Sequence, residues 1–442
     1  MWRGYARPVG ILILSLACFL AAQGTGLQLF LHLCYLLLAL LVISFGWAYI
    51  NLRGLQVERE VLTQRAYVGE YARERLTLYN RWRIPKLWIE IHDQSDMPEH
   101  GSGFVTFLDG YQRSRWVART PCTVRGKFNL GPAILSSGDP FGIWQLERRL
   151  SATSEIVVYP RIVELPEFTL PDAELTGGQD VRSRTYHVSP NVSTVRDYAP
   201  GDSFNRIHWR STARTGNLMV KEFELDPSAD IYLVLDLQER AMVKDTRPAG
   251  LRSEEAGHTV ALLTPLADRR PAGPAPEDIS TEEYAVMAAA SLAQRLLQQN
   301  RQLGLLAWGQ HREIVAPERE ARQLFKILEA LAVLRAHGSH SLAEVLLAEN
   351  QRFNRNCSLV IITSSVDEQW TTALRQLLHR GVRATVLFVD PLSFGGWRDP
   401  EEIFKQLTEM RVPTYRLSQG QPLEEALRAP VVGPPGTRRY AG

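Results

Sequence analysis

Two apolar runs at the start of the chain constrain its fold more than anything downstream. Residues 9–22 and 27–50 are almost free of charge and are separated by a Gln23-Gly24-Thr25-Gly26 break. A spanning helix needs about 20 apolar residues, within roughly 17–25. The second run meets this despite His32; the first is at the low end and borrows part of the break. Arg3 and Arg7 precede the pair, Arg53 and Arg59 follow it, and the break carries no Lys or Arg. The positive-inside bias then puts both flanks in the cytoplasm and the short turn outside. The expected start is a two-helix transmembrane hairpin over residues 1–52, in the cell membrane, with the bulk of the chain cytoplasmic. Cys18 and His32 within the spans are read as helix-packing groups. A competing reading takes 9–22 as a secretory signal, with Arg3 and Arg7 as its basic start and Ala21-Ala22 near a cleavage site. The remainder would then face the opposite side. The second span, coming at once after the first, favours the hairpin.

From residue 53 to 160 the pattern is short and alternating. Stretches 75–80 (RLTLYN), 87–92 (LWIEIH), 103–108 (GFVTFL) and 155–159 (EIVVY) interleave apolar and polar residues between Pro, Gly, Asp and Asn. Short strands at such spacing predict an antiparallel β-sandwich with one buried face. Residues 125–132 (RGKFNLGP) and 138–142 (GDPFG) read as a strand followed by a tight turn, with Gly and Pro supplying turn chemistry.

Residues 161–230 connect this domain to the next and hold a dense polar stretch, 196–224 (RDYAPGDSFNRIHWRSTARTGNLMVKEFE). After it the period changes. Apolar strands at 231–235, 304–308, 359–363 and 384–389 alternate with helical patterns at 282–300, 318–334, 341–350, 368–379 and 401–410, and 414–417 could add a last strand. Buried strands alternating with amphipathic helices predict an α/β domain over 231–429, its sheet mostly parallel and covered on both faces. Residues 244–279, rich in Pro, Ala, Arg, Glu and Gly, read as a disordered insert after the first strand, and 430–442 as a loose tail.

Composition excludes some functions. Cys18, Cys34, Cys122 and Cys357 are scattered with no CxxC pair, so neither a disulfide framework nor a cysteine zinc site is expected. A net charge of +2 over 442 residues gives no bulk attraction to nucleic acid. Within the polar stretch, Arg206, Arg210, Arg214 and Lys221 are balanced locally by Asp197, Asp202, Glu222 and Glu224. His187, His208, Asp197, Asp202 and Ser211 could be assembled on paper into a catalytic set, but no G-x-S-x-G elbow accompanies them. The simpler expectation is structural. Arg206, Arg210 and Arg214 recur every four residues, on one face of a helical segment that Asp202 could cap, with Trp209 beside them. That makes the stretch a rigid, ion-paired lead-in to the sheet, with a partner surface as its use.

The stretch also carries a resemblance. Arg196, Tyr198, Gly201, Asp202, Arg206, Ile207, Trp209, Thr212, Ala213, Arg214, Leu218, Val220, Lys221 and Phe223 follow R-x-Y-x-x-G-D-x-x-R-x-I-x-W-x-x-[ST]-A-R-x-x-x-L-x-V-K-x-[FY]. This resembles the signature of the DUF58 family. The R-G-x-x-x-L-G-P element (Arg125, Gly126, Leu130, Gly131, Pro132) and D-P-F-G (Asp139, Pro140, Phe141, Gly142) resemble the family's upstream pattern. The resemblance implies an α/β, Rossmann-like module of the von Willebrand factor A type. It implies a partnership with a MoxR-type AAA+ ATPase, and with transglutaminase-like membrane proteins. Such modules often bind Mg²⁺ through D-x-S-x-S after the first strand, plus a Thr and an Asp on later loops. Here the strand is followed by Asp236-Leu237-Gln238-Glu239-Arg240, and the later strand ends Thr363-Ser364-Ser365-Val366-Asp367. The metal candidates are therefore Asp236, Thr363 and Asp367. Gln238 and Arg240 stand where oxygen ligands would, so a degenerate site without Mg²⁺ is expected. The whole reads as a membrane-anchored protein-interaction or scaffold protein. The rival classes are a metal-dependent or hydrolytic enzyme, and an adhesion- or receptor-like extracytoplasmic binder.

Overall fold

The computed structural model describes residues 6–100, 103–168, 170, 192–198, 207–223, 230–243, 280–355 and 357–432. The residues divide into two compact units. The first comprises the described residues up to Ile162 together with Leu328–Leu334; the second takes the rest.

The first unit begins with α1 (Ala6–Thr25) and α2 (Gln28–Leu52). Gly26, at φ +68°, makes the reversal between them. Ser15 Oγ faces Cys34 Sγ at 3.3 Å between the helices. Elsewhere both helices are bare: only 17% of each apolar window is buried, although both are long and apolar enough to cross a membrane. Apolar surface of that extent has no protein cover, which suits association with a bilayer.

Helix α2 runs into the β-rich part without a linker. Leu52 is buried in one core cluster with Leu55, Leu78, Ile89, Ile91, Leu108 and Leu135. Gly54, at φ +75°, turns the chain; a Cβ there would lie 2.6 Å from the Trp82 ring. After it come strands β1 (Leu55–Val61), β2 (Arg65–Tyr67), β3 (Tyr71–Asn80), β4 (Lys86–Ser95), β5 (Gly103–Leu108), β6 (Arg113–Pro121), β7 (Gly126–Gly138), β8 (Gln145–Leu150) and β9 (Ser154–Tyr159). They form two sheets, β1-β3-β6 and β2-β9-β7-β4-β5, with β8 also paired to β7. In β3 every second residue is buried, the period-2 signature of a strand with one face on a core. The expected antiparallel pattern has one departure: β2 and β9 run parallel.

The R-G-x-x-x-L-G-P element, apart from Arg125, lies inside β7, which is continuous from Gly126 to Gly138, so its Gly-Pro makes no turn. At Gly131-Pro132 the strand exchanges one partner for another, β9 pairing up to Leu130 and β8 from Ala133. Gly131 sits at φ +91° with the Ala152 carbonyl oxygen against the position a Cβ would take, so a side chain is excluded. Arg125 is fully buried and donates to the Leu331 carbonyl at 3.0 Å and the Leu334 carbonyl at 2.7 Å. A guanidinium thus satisfies carbonyls at the end of a helix. The D-P-F-G element is a turn, as expected: buried Asp139 accepts from the Phe141 N–H at 2.9 Å and the Trp144 N–H at 2.6 Å.

The second unit holds a small hairpin and a large sheet. In the hairpin, β10 (Val192–Asp197) pairs antiparallel with β11 (Met219–Phe223), and α3 (Trp209–Thr215) lies between them in sequence. The sheet is built from β12 (Asp230–Asp236), β13 (Leu303–Trp308), β14 (Arg312–Glu318), β15 (Cys357–Thr363), β16 (Arg383–Val389) and β17 (Thr414–Leu417), in the order β14-β13-β12-β15-β16-β17. All neighbours are parallel except β13 and β14. Helices α4 (Thr281–Gln298), α5 (Ala321–Val333), α6 (Leu342–Ala348), α7 (Gln369–His379) and α8 (Glu401–Glu409) alternate with the strands, and α9 (Leu423–Ala426) comes after the last. The central strands are buried along nearly their whole length, which explains their unbroken apolar sequences. The chain is thus mixed α/β, with a β-rich N-terminal region and two candidate membrane helices. The expected insert 244–279 and all but the first residues of the tail 430–442 lie outside the described residues.

Candidate functional site

In an open α/β sheet, ligands bind beyond the carboxyl ends of the strands, where the strand order reverses. Here that point is the end of β12, between β13 and β15. The last residue of β12 is Asp236, only 4% exposed. One carboxylate oxygen accepts from the Thr363 hydroxyl at 2.6 Å, the other from the Gln238 N–H at 3.1 Å. Thr363 ends β15 and is itself completely buried. Its oxygen accepts in turn from the Ser365 N–H at 2.9 Å, and the indole of Trp370 donates to the Ser365 carbonyl at 3.1 Å. Burial pushes the Asp236 carboxyl above its usual range, against the hydrogen bonds from Thr363 and Gln238.

The structure brings together two of the three metal candidates, Asp236 and Thr363. The third, Asp367, is used otherwise: its Oδ1 accepts from the Gln369 N–H at 3.1 Å at the start of α7. Arg240 is exposed on a 3-10 turn, Glu239–Ala241. Leu237 and Gln238 pair with Gly338, whose N–H donates to the Leu237 carbonyl at 3.0 Å. A Cβ on Gly338 would meet the Trp308 carbonyl at 2.6 Å, so backbone packs directly on backbone here.

A second buried carboxylate stands at the same edge, outside the candidates read from the sequence. Asp390, 3% exposed, comes directly after β16 and accepts from Arg416 Nε at 3.0 Å and Nη2 at 2.8 Å. Its signal is an apolar strand ending in an acid, the same pattern as Asp236. Unlike Asp236, it has a cation as partner.

The signature stretch explains part of itself. Ile207 and Val220 are buried and bridge each other. Thr212 Oγ1 accepts from the Met219 N–H at 3.0 Å, and Gly216, at φ +78°, closes α3. Arg196 lies opposite Val220, and Lys221 opposite Val195, in the hairpin register. Tyr198 donates its N–H to the Leu218 carbonyl at 2.8 Å. Trp209 is 68% exposed, and Arg210 and Arg214 are exposed on α3. Neither arginine makes an ion pair among the described residues, and Asp202, Arg206 and Glu224, which the expected ion-paired face also needs, lie outside them. Gly201, Asp202, Arg206 and His187 lie outside the described residues. His208 Nδ1 and Ser211 Oγ do meet, at 2.7 Å, as neighbours at the start of α3.

One further group of potential metal ligands lies in the first unit. Glu74, Asp93 and His100 have their ligand atoms within 4.8 Å of one another. His100 Nε2 is 2.9 Å from Asp93 Oδ2 and 3.7 Å from Glu74 Oε1, and its Nδ1 is 2.8 Å from Thr120 Oγ1. Arg59 decides how this group is read. Its guanidinium bonds Glu74 Oε2 at 2.5 Å and also Asp93 Oδ1, and all four side chains are at most 4% exposed. Arg59 already pairs with both carboxylates. A divalent ion beside Arg59 would leave an excess of buried positive charge. The group is an ion-pair network.

Residues 194–275 match the family described as "Protein of unknown function DUF58". The uncharacterized protein YeaD of Bacillus subtilis (strain 168) is 25% identical over a 247-residue alignment that covers 53% of this chain and 61% of that protein. The chain therefore spans less than two thirds of that relative. Among solved structures, the CARDB domain of PF1109 from Pyrococcus furiosus covers 24% of this chain and 94% of its own, at 14% identity and a TM-score of 0.20. The C-terminal domain of wzt covers 25% of this chain and 75% of its own, at 10% identity and a TM-score of 0.19. Scores this low carry no argument about fold or ligand. The signature and the match coincide: over residues 194–275 this chain is similar to the DUF58 family.

Proposed function

We propose that this chain is a membrane-anchored interaction protein whose α/β unit is a von Willebrand factor A-type module with a closed, metal-free ligand position. The observation that carries this reading is Asp236. It stands at the reversal of strand order, where such a module would hold a metal. Yet it is buried and engaged by the Thr363 hydroxyl and the Gln238 amide, and Gln238 is itself bridged to Gly338. Thr363 stands at the strand end where a second acid would be usual. With Gln238 and Arg240 replacing oxygen ligands, the edge offers too few hard donors for octahedral Mg²⁺. Calorimetric titration of the solubilised full chain with Mg²⁺ or Mn²⁺ is expected to give no saturable heat. Tight binding that Asp236→Ala abolishes would overturn the closed-site reading and favour the metal-dependent enzyme.

The hairpin anchors the chain, and the Arg bias on its flanks favours a cytoplasmic bulk. The family resemblance makes a MoxR-type AAA+ ATPase the partner to test first, with a transglutaminase-like membrane protein second. The exposed face of α3, with Trp209, Arg210 and Arg214, is the surface we assign to it. No side chain of α3 is buried, so substitutions there should spare the fold. Tagged protein purified from solubilised membranes is expected to bring the ATPase with it. The doubly changed Trp209→Ala, Arg214→Glu chain should lose it at least about tenfold, as for a central aromatic and Arg pair at an interface. Equal recovery with both chains would refute this surface.

A further inference from the structure

We infer that the end of the β-rich part next to α2 dips into the same bilayer that the hairpin spans, with Phe141 and Trp88 as its deepest points. This rests on the membrane-anchored reading above.

The argument starts from how firmly the β strands hold α2. The Asn51 side chain donates to the Leu87 carbonyl and accepts the Leu87 N–H at 3.2 Å. The Lys86 ammonium, on a fully buried residue, donates to the Ile50 carbonyl. Arg148 donates to the Leu52 carbonyl at 3.1 Å. These contacts, with Leu52 in the core, leave no flexible joint on which the strands could swing away from the membrane.

The D-P-F-G turn reaches further along the helix. Trp144 donates its indole N–H to the Leu41 carbonyl at 3.2 Å and lies edge-on to Phe45, with ring centroids 5.2 Å apart. A hydrocarbon layer of about 30 Å takes about 20 residues of helix. Counted from Gln28, it ends near residue 47. Leu41 is then roughly 9 Å inside that limit, at about 1.5 Å per residue. On the same turn, the Gly142 carbonyl accepts from Arg7 Nη1 at 2.7 Å, which ties the turn to α1 as well. Asp139 fixes the turn through two backbone N–H groups, and the shape it fixes leaves Phe141 66% exposed.

A second apolar edge lies level with the end of α2. Leu108 pairs with Lys86, which sets Phe107 beside the Leu87-Trp88 irregularity in β4. Trp88 and Phe107 are each 75% exposed. Exposed rings grouped with basic side chains at a helix exit have the amphipathic chemistry of the headgroup layer. An aqueous face would leave this apolar surface uncovered. The bilayer is the occupant because the hairpin already brings it there.

The test uses full-length protein in vesicles of brominated phospholipid, with a nitrobenzoxadiazole label on single introduced cysteines. The four native thiols are buried and do not compete for the label. Phe141→Cys and Trp88→Cys report on the proposal, Leu38→Cys on the span, and Arg119→Cys on a solvent-facing strand position. Clear loss of emission at 141 and a smaller but definite loss at 88, neither exceeding that at 38, with none at 119, is the expected result. Quenching at 38 with none at 141 and 88 overturns the inference and leaves the hairpin standing. No quenching at 38 overturns both, and quenching at 119 equal to that at 141 overturns the inference as a specific surface.

Discussion

Arg59→Met is expected to cost the folded chain about 3–5 kcal/mol, the usual result of removing one partner from a buried ion-pair network. Arg59 is on β1, Glu74 on β3 and Asp93 on β4, so the guanidinium joins the two sheets of the β-rich part. It also donates from Nε to the Ala152 carbonyl at 3.0 Å. Methionine fills much of the volume but leaves two carboxylates, 4% and 0% exposed, facing each other without their cation. Replacing Arg59, Glu74 and Asp93 together by apolar residues of similar size should cost much less, because no charge is then stranded. Urea unfolding of the solubilised protein measures both. A loss below about 1 kcal/mol for Arg59→Met would mean that water already reaches the group.

The two carboxylates have opposite pH signatures. Burial alone would raise Asp93, but hydrogen bonds from His100 and Arg59, with their charges, hold it below the usual range. Its contribution is present above the unfolded value, about 3.9, and is lost as pH falls through the lower folded one. Burial raises Glu74 against the pull of Arg59. Its contribution is present below the unfolded value, about 4.3, and is lost as pH rises through the folded one. In Arg59→Met the hold on Asp93 weakens and burial dominates at both sites. The variant should therefore gain stability as pH falls from about 7 to about 4, over a range where the Asp93 contribution of the parent stays intact.

Little of this network is legible in the sequence. Arg59, Glu74, Asp93 and His100 have no motif spacing, and strand register and loop path bring them together. Elements with strong periodicity were legible. The apolar runs 9–22 and 27–50 became α1 and α2, and the strands expected at 231–235, 359–363 and 384–389 appear within two residues of those limits. Strand β14 was missed because an antiparallel edge strand needs no continuous apolar sequence: Arg312–Glu318 is half-exposed and contains Pro317. The hairpin β10–β11 is not legible because its strands carry charged residues and no unbroken apolar run, while the pairing is made by backbone. Asp236 was recognised as a strand-end acid. That its neighbours shut it in depends on Gly338, about a hundred residues away, and on a hydroxyl from another strand. Asp390 shows the limit from the other side: the same local pattern acquires a different meaning because Arg416 lies on the next strand.

The indole of Trp370 is what holds that closed edge in place, and Trp370→Ala is expected to cost about 3–5 kcal/mol. The side chain is 1% exposed, on α7, within the core cluster that contains Leu374, Leu377, Val386 and Phe388. Its N–H also fixes the Ser365 carbonyl, and the Ser365 N–H supports the Thr363 hydroxyl that engages Asp236. Trp370→Phe separates the two roles. Phenylalanine retains most of the apolar contact but strands a buried carbonyl, which costs about 1–3 kcal/mol. Its particular effect should be local: the Ser365 amide should exchange with solvent hydrogen faster than in the parent, while amides of β16 stay protected. Once Thr363 is loosened, the Asp236 carboxyl should lose a donor and titrate higher still. Unchanged exchange at Ser365 in Trp370→Phe would show that the β15 end holds its shape without the indole. The Asp236–Thr363 contact would then be self-sufficient, and Trp370 would serve the core alone.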